Sequence, residues 1–85
     1  MKNVLNIALR VSAYNGRDPI RAAEYRKKLN AAHVLESFFN DTLAVNEIRT
    51  VTYTELAQET SITRDLIRDL LEPIGGGSNG ITIRG

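Results

Sequence analysis

The chain has 85 residues, 42% of them hydrophobic and 25% charged, and a formal net charge of +1. This length suits one domain with a modest core, and the composition is that of a folded globular protein. With no cysteine and a single histidine, the chain lacks the residues for disulfides, thiolate zinc sites and cysteine catalysis. We therefore expect no cofactor and no metal. No apolar run approaches the roughly 20 residues that a bilayer span needs, so we expect a cytoplasmic protein without membrane contact.

The charges are divided unevenly between the two halves of the chain. Residues 1–43 carry seven basic and four acidic side chains, a net charge of +3, whereas residues 44–85 carry four basic and six acidic ones, a net charge of −2. Proteins that bind nucleic acids concentrate basic side chains on one face. Such a face would have to draw partly on the first 28 residues of this chain.

The first 18 residues form an apolar segment with two interpretations. Alternation of apolar and other residues within Lys2–Tyr14 is typical of a strand. A shared helical face, the helix preference of Leu and Ala, and Gly16 just beyond the end favour a helix. We favour the helix over the strand.

A long helix is predicted over residues 19–43. Asp18 can cap its first free amides, and Pro19 fits a first turn that needs no amide donor. Apolar residues then recur every three or four positions: Ala22, Tyr25, Leu29, Ala32, Leu35, Phe39 and Leu43. The first half of this helix carries the basic residues Arg21, Arg26, Lys27 and Lys28.

A short strand and a short helix are predicted next. β-branched residues within Asn46–Thr52 favour a strand. The pattern Thr52-x-x-Glu55 is that of a capping box. In this motif the threonine oxygen accepts from an amide of the first helical turn, and the glutamate side chain accepts from the threonine amide. This predicts that a helix over residues 53–59 begins directly after the strand.

A second helix and a hairpin complete the predicted order. The first short helix breaks at residues 60–62, and Thr63 then caps a helix that Pro73 stops. Ile74 and Ile81–Ile83 flank a glycine-rich stretch, which predicts a hairpin with a glycine-rich tip.

This order, over about residues 48–83, resembles the winged helix-turn-helix domain of bacterial and phage transcription regulators. Glu55-Leu56-Ala57 is similar to the first-helix signature of that family, and Ser61-Ile62-Thr63-Arg64 to its turn and the start of its recognition helix. Ile67 and Leu70-Leu71 match the buried positions that follow. Ser61 departs from the glycine that the family often has there. The resemblance implies a mainly α fold with a small β-hairpin wing, in one domain over 1–85 with a three-helix core over 19–83.

The resemblance also implies a function, that of a sequence-specific transcriptional regulator that binds double-stranded DNA. Helix 63–72 would read the major groove, and Thr63, Arg64 and Arg68 would contact bases. The phosphate contacts would come from Arg21, Lys27 and Lys28. Such regulators usually act as dimers on two-fold sites, and residues 1–14 are the candidate homodimer contact.

Other interpretations stay open at this point. The negative charge of residues 44–85 and a wing tip without Arg or Lys also suit a winged-helix module that holds a partner protein. Arg68 can pair with Asp65 or Glu72 on a solvated face, and the basic run can be simply solvated. The glycine stretch is read most simply as a flexible turn, although its amides could meet a phosphate. No catalytic motif accompanies the single histidine, so we do not expect an enzyme.

Overall fold

Three α-helices and two β-strands make up the described part of the chain. The structure, a computed structural model, describes residues 15–85. In chain order the elements are α1 (Pro19–Thr42), β1 (Ile48–Thr52), α2 (Tyr53–Thr60), α3 (Arg64–Leu71), a 3-10 turn (Glu72–Ile74) and β2 (Gly80–Arg84). The predicted fold class, mainly α with a small β-hairpin wing, is confirmed by three helices and one two-stranded antiparallel sheet. Two predictions concern residues 1–14, namely their secondary structure, helix or strand, and their role as a homodimer contact. Both lie outside the described residues.

Helix α1 begins as the sequence predicts. Asp18 Oδ1 accepts a hydrogen bond from the Ile20 amide at 3.0 Å, and Pro19 occupies the first turn. Only the second half of the helix enters the core, through Ala31, Ala32, Leu35 and Phe39. The basic residues of the first half, Arg21, Arg26, Lys27 and Lys28, are all exposed.

The two strands pair antiparallel, with Val51 opposite Ile81. The prediction that Ile74 belongs to the strand opposite Ile81–Ile83 is therefore wrong, because β2 takes β1 as its partner. Two local features keep Ile74 out of a strand. Pro73 has no amide to donate to a ladder, and Gly75, at φ +110°, turns the chain away from an extended path.

Helices α2 and α3 follow β1 in the chain and are joined by a short turn. Thr52 Oγ1 accepts a hydrogen bond from the Glu55 amide at 3.1 Å. The second bond of a capping box, from the Thr52 amide to the Glu55 carboxylate, is not formed among the described residues. Ser61 ends α2 in the left-handed region at φ +62°. Thr63 precedes α3, but its side chain makes no capping bond. The core between the helices and the sheet is formed by Leu35, Phe39, Leu43, Val51, Tyr53, Leu56, Ile67, Leu70, Leu71, Ile81 and Ile83.

Candidate nucleic-acid interface

A shallow groove runs between the middle of α1 and the turn that precedes α3. Helix α1 lines it with Lys27, Asn30, Ala31 and Val34, and the turn and α3 line it with Ser61, Ile62, Thr63 and Leu66. The half-buried Ile62 packs against the core and fixes the turn beside α1. The predicted phosphate residue Lys27 and the predicted base residue Thr63 therefore border one surface. Both are exposed.

Arg64 is the first residue of α3 and is exposed. Its Nη2 donates a hydrogen bond to Oδ1 of Asn79, in the glycine-rich loop, at 3.2 Å. Three separate parts of the chain thus meet around the start of α3: Lys27 from α1, Thr63 and Arg64 from the turn and helix, and Asn79 from the loop.

Arg68, the second predicted base residue of α3, lies between two carboxylates. Its Nη2 is 3.7 Å from Asp65 Oδ1, and its Nε is 3.7 Å from Glu72 Oε1. The arginine side chain is 44% exposed, and that of Asp65 is 84% exposed. Exposed pairs of this kind are weak, about 0–1 kcal/mol each. They nevertheless place two negative charges around the guanidinium that would have to approach DNA.

The other two predicted phosphate residues lie away from the groove. Arg21 is in the first turn of α1, where its Nε is 3.9 Å from Asp18 Oδ2. Lys28 follows Lys27, but successive helical residues are rotated by about 100°, and Lys28 does not line the groove. Of the three, only Lys27 borders the turn before α3.

The glycine-rich loop is fastened to the core by hydrogen bonds. The Tyr53 hydroxyl donates to the Gly77 carbonyl at 2.6 Å, and the Tyr53 amide donates to the Asn79 carbonyl at 2.9 Å. The Gly76 amide donates to the Leu71 carbonyl at 2.9 Å, and the Gly77 amide to the Gly80 carbonyl at 2.8 Å. These bonds attach the stretch, which the sequence predicts as a plain flexible turn, to the core at Gly76, Gly77 and Asn79.

Tyr53 is the residue that sequence reasoning missed at this site. Its side chain is fully buried, and burial, with a smaller contribution from the charge of Glu72, raises the pKa of its hydroxyl above the usual 10.0, while Arg68 opposes the shift. A buried tyrosine hydroxyl needs a hydrogen-bond partner. Within a run of glycines, only backbone groups can supply one.

The charges on the exposed side of α3 are mixed. Asp65 and Asp69 are exposed on α3, and Glu72 follows the helix. Positive potential near the start of α3 therefore depends on Lys27 together with Arg64. Across residues 15–85, no three histidine or acidic side chains gather where they could hold a metal ion.

The chain matches no protein-family model, no curated protein and no solved structure. Among residues 15–85, none of the helices combines the length and the hydrophobicity that a membrane span requires. The function is therefore inferred from the arrangement of residues around α3.

Proposed function

We propose that this chain is a small cytoplasmic protein that binds double-stranded DNA at specific sequences and regulates transcription. One observation carries the proposal: Lys27 lines the same groove as Ser61 and Thr63, at the exposed start of α3. A helix inserted into the major groove reads base edges with its first residues, while neighbouring basic residues contact phosphates. The residues around the start of α3 have the chemistry for both kinds of contact.

In this proposal, each residue near the start of α3 has a DNA contact that suits its place and its chemistry. Thr63 has a hydroxyl that is not used as a helix cap, so it is free to bond a base edge or a phosphate. Arg64 presents a planar fork that can bond the O6 and N7 atoms of guanine. Lys27 supplies a compact positive charge for an adjacent phosphate. The chain acts without a cofactor and without catalysis in this proposal.

The remaining predicted contacts are weaker parts of the proposal. Arg68 would bring the negative charges of Asp65 and Glu72 with it toward DNA, which weakens its attraction to the groove. Arg21 and Lys28, away from the groove, would attract DNA at longer range. Residues 1–14 stay the proposed contact of a homodimer on a two-fold site.

The test is the binding of the full chain to labelled duplex DNA across a range of salt concentrations. The affinity should fall as salt rises, because each neutralised phosphate releases counterions. Lys27→Ala should lower the slope of log affinity against log salt by about one unit. Arg84→Ala is the matched control, since it removes one exposed positive charge at the opposite end of β2 from Asn79. A flat salt response, or no binding at low salt, would refute the proposal.

A specific observation favours a second candidate, a module that holds a partner protein. The pairing of Arg68 with Asp65 and Glu72 leaves the exposed side of α3 with more carboxylates than guanidinium groups. Such a face suits a partner with basic side chains better than it suits phosphates. The same experiment separates the two, because this candidate predicts no binding to duplex DNA at any salt concentration.

A further inference from the structure

We infer that Asn79 is a positioning residue that holds the Arg64 guanidinium ready to read one guanine in the DNA site. This inference rests on the proposed DNA-binding function and deepens it. It assigns a role to the glycine-rich loop, which carries no basic side chain at its tip. It also distinguishes Arg64 from Arg68 as the base-reading arginine of α3.

The backbone of Asn79 is fixed from both sides. Its carbonyl accepts from the Tyr53 amide at 2.9 Å, where β1 passes into α2. Two residues earlier, the Gly77 carbonyl accepts from the buried Tyr53 hydroxyl at 2.6 Å. One residue later, Gly80 begins β2 opposite Thr52. Asn79 is thus attached to the folded core, although its side chain is exposed.

The side chain of Asn79 has a defined orientation toward Arg64. A guanidinium has only hydrogen-bond donors, so the oxygen of the amide must face it, and the NH2 group points away. The bond from Arg64 Nη2 to Asn79 Oδ1 is 3.2 Å long. Nη2 keeps a second proton, and Nη1 and Nε keep theirs, so Arg64 can hold Asn79 and still make two bonds to guanine O6 and N7.

The bond to Asn79 lowers the entropy that Arg64 loses when it binds. A free arginine side chain samples many rotamers and loses that freedom on binding. A neutral amide acceptor restricts the guanidinium without neutralising it, so its charge stays available to DNA. Arg68 is held in the opposite way, by the carboxylates of Asp65 and Glu72. The expected ligand is therefore a duplex with a guanine facing the start of α3.

The experiment begins with the full wild-type chain and a pool of random duplexes, from which bound sequences are enriched. Arg64→Ala then identifies the base pair that Arg64 reads, as the position where the preference for guanine falls by about five- to hundredfold. At that position, Asn79→Ala should lower the preference by about three- to tenfold, the worth of one hydrogen bond. Ser78→Ala, an exposed neighbour in the same loop, is the matched control and should change nothing.

Two further variants separate positioning from a general effect on the loop. The double variant Arg64→Ala with Asn79→Ala should show the same guanine preference as Arg64→Ala alone, because Asn79 acts through Arg64. Asn79→Gln keeps a neutral amide oxygen that can accept from Arg64, so it should retain more of the guanine preference than Asn79→Ala does.

The results that overturn the inference differ from those that overturn the proposed function. If the wild-type chain enriches no duplex, the DNA-binding function fails, and this inference fails with it. If the chain enriches a site, but Asn79→Ala keeps the guanine preference or its effect adds to that of Arg64→Ala, only the inference fails. A guanine preference in Asn79→Gln as low as that in Asn79→Ala would likewise assign Asn79 a role other than that of a neutral acceptor.

Discussion

Gly76→Ala tests whether the glycine-rich loop is packed against the core. A Cβ atom at this position would meet the Tyr53 hydroxyl, and it would lie 2.8 Å from the Leu71 carbonyl oxygen. Leu71 is helical backbone and Tyr53 is fully buried, so neither can move aside easily. The loop itself must shift, and the bond from the Tyr53 hydroxyl to Gly77 would then break.

The expected cost follows from these two effects. Forcing an extra methyl into a packed site costs about 1–3 kcal/mol, and losing the hydrogen bond costs about 0.5–1.5 kcal/mol. The free energy of unfolding should therefore fall by about 2–4 kcal/mol. At about 4–8 °C per kcal/mol for a domain of this size, the melting temperature should fall by on the order of 10–30 °C.

The assay is thermal and urea unfolding followed by circular dichroism, with Gly77→Ala as the matched control. A Cβ at Gly77 would meet nothing closer than the Gly80 carbonyl oxygen at 3.6 Å, so this variant should stay within about 0.5 kcal/mol of the wild type. In a Tyr53→Phe background, Gly76→Ala should cost less, because the obstructing hydroxyl is gone. Equal melting curves for Gly76→Ala and Gly77→Ala would refute the packed loop.

Three more predictions concern stability, each measured by urea unfolding. Thr52→Ala removes the oxygen that caps α2 and should cost about 1 kcal/mol; an unchanged midpoint would contradict this. Ser61→Gly relieves a left-handed residue at φ +62° and should stabilise the fold by about 0.5–1 kcal/mol, whereas a loss would show that the serine side chain matters there. Because burial raises the pKa of Tyr53 above 10.0, the unfolded chain loses this proton first, and stability should fall as the pH rises above that value. Tyr53→Phe should lessen that fall, and an identical pH profile would count against it.

Local signals in the sequence predicted where the helices begin. Asp18 and Pro19 predict the start of α1, and Thr52 predicts the start of α2, because capping depends on residues within one turn of the helix end. These starts are confirmed. The fold class follows from them and from the β-branched residues of the two strands.

The partner of β2 could not be predicted in the same way. Thr50 and Thr82, whose side-chain oxygens are 2.8 Å apart, are separated by 32 positions in the chain. Ile81 and Ile83 fit any extended neighbour that buries them, so their alternation does not choose between Ile74 and β1. The choice depends on how α2 and α3 return the chain to the sheet.

The candidate site shows the same division between local and long-range information. The sequence indicates that residues 26–28 are basic and that Arg64 begins a helix. It does not indicate that Lys27, rather than Lys28, borders the turn, because that depends on how α1 crosses α3. The contact between Arg64 and Asn79 depends on a loop that Tyr53 holds in place. The two residues are 15 positions apart in the chain, so a short sequence motif cannot predict their contact.

The most direct test of the central claim is to map the DNA contact by NMR on the ¹⁵N-labelled full chain. During titration with an enriched duplex, we predict that the amide signals of Lys27, residues 61–66 and Asn79 shift together, while those of Arg84 and its neighbours stay in place. The opposite result would be a set of shifts confined to the groove between α1, β1 and α2, which includes Phe38, Glu55 and Glu59, or no shifts at all. Either outcome would contradict DNA recognition by the start of α3.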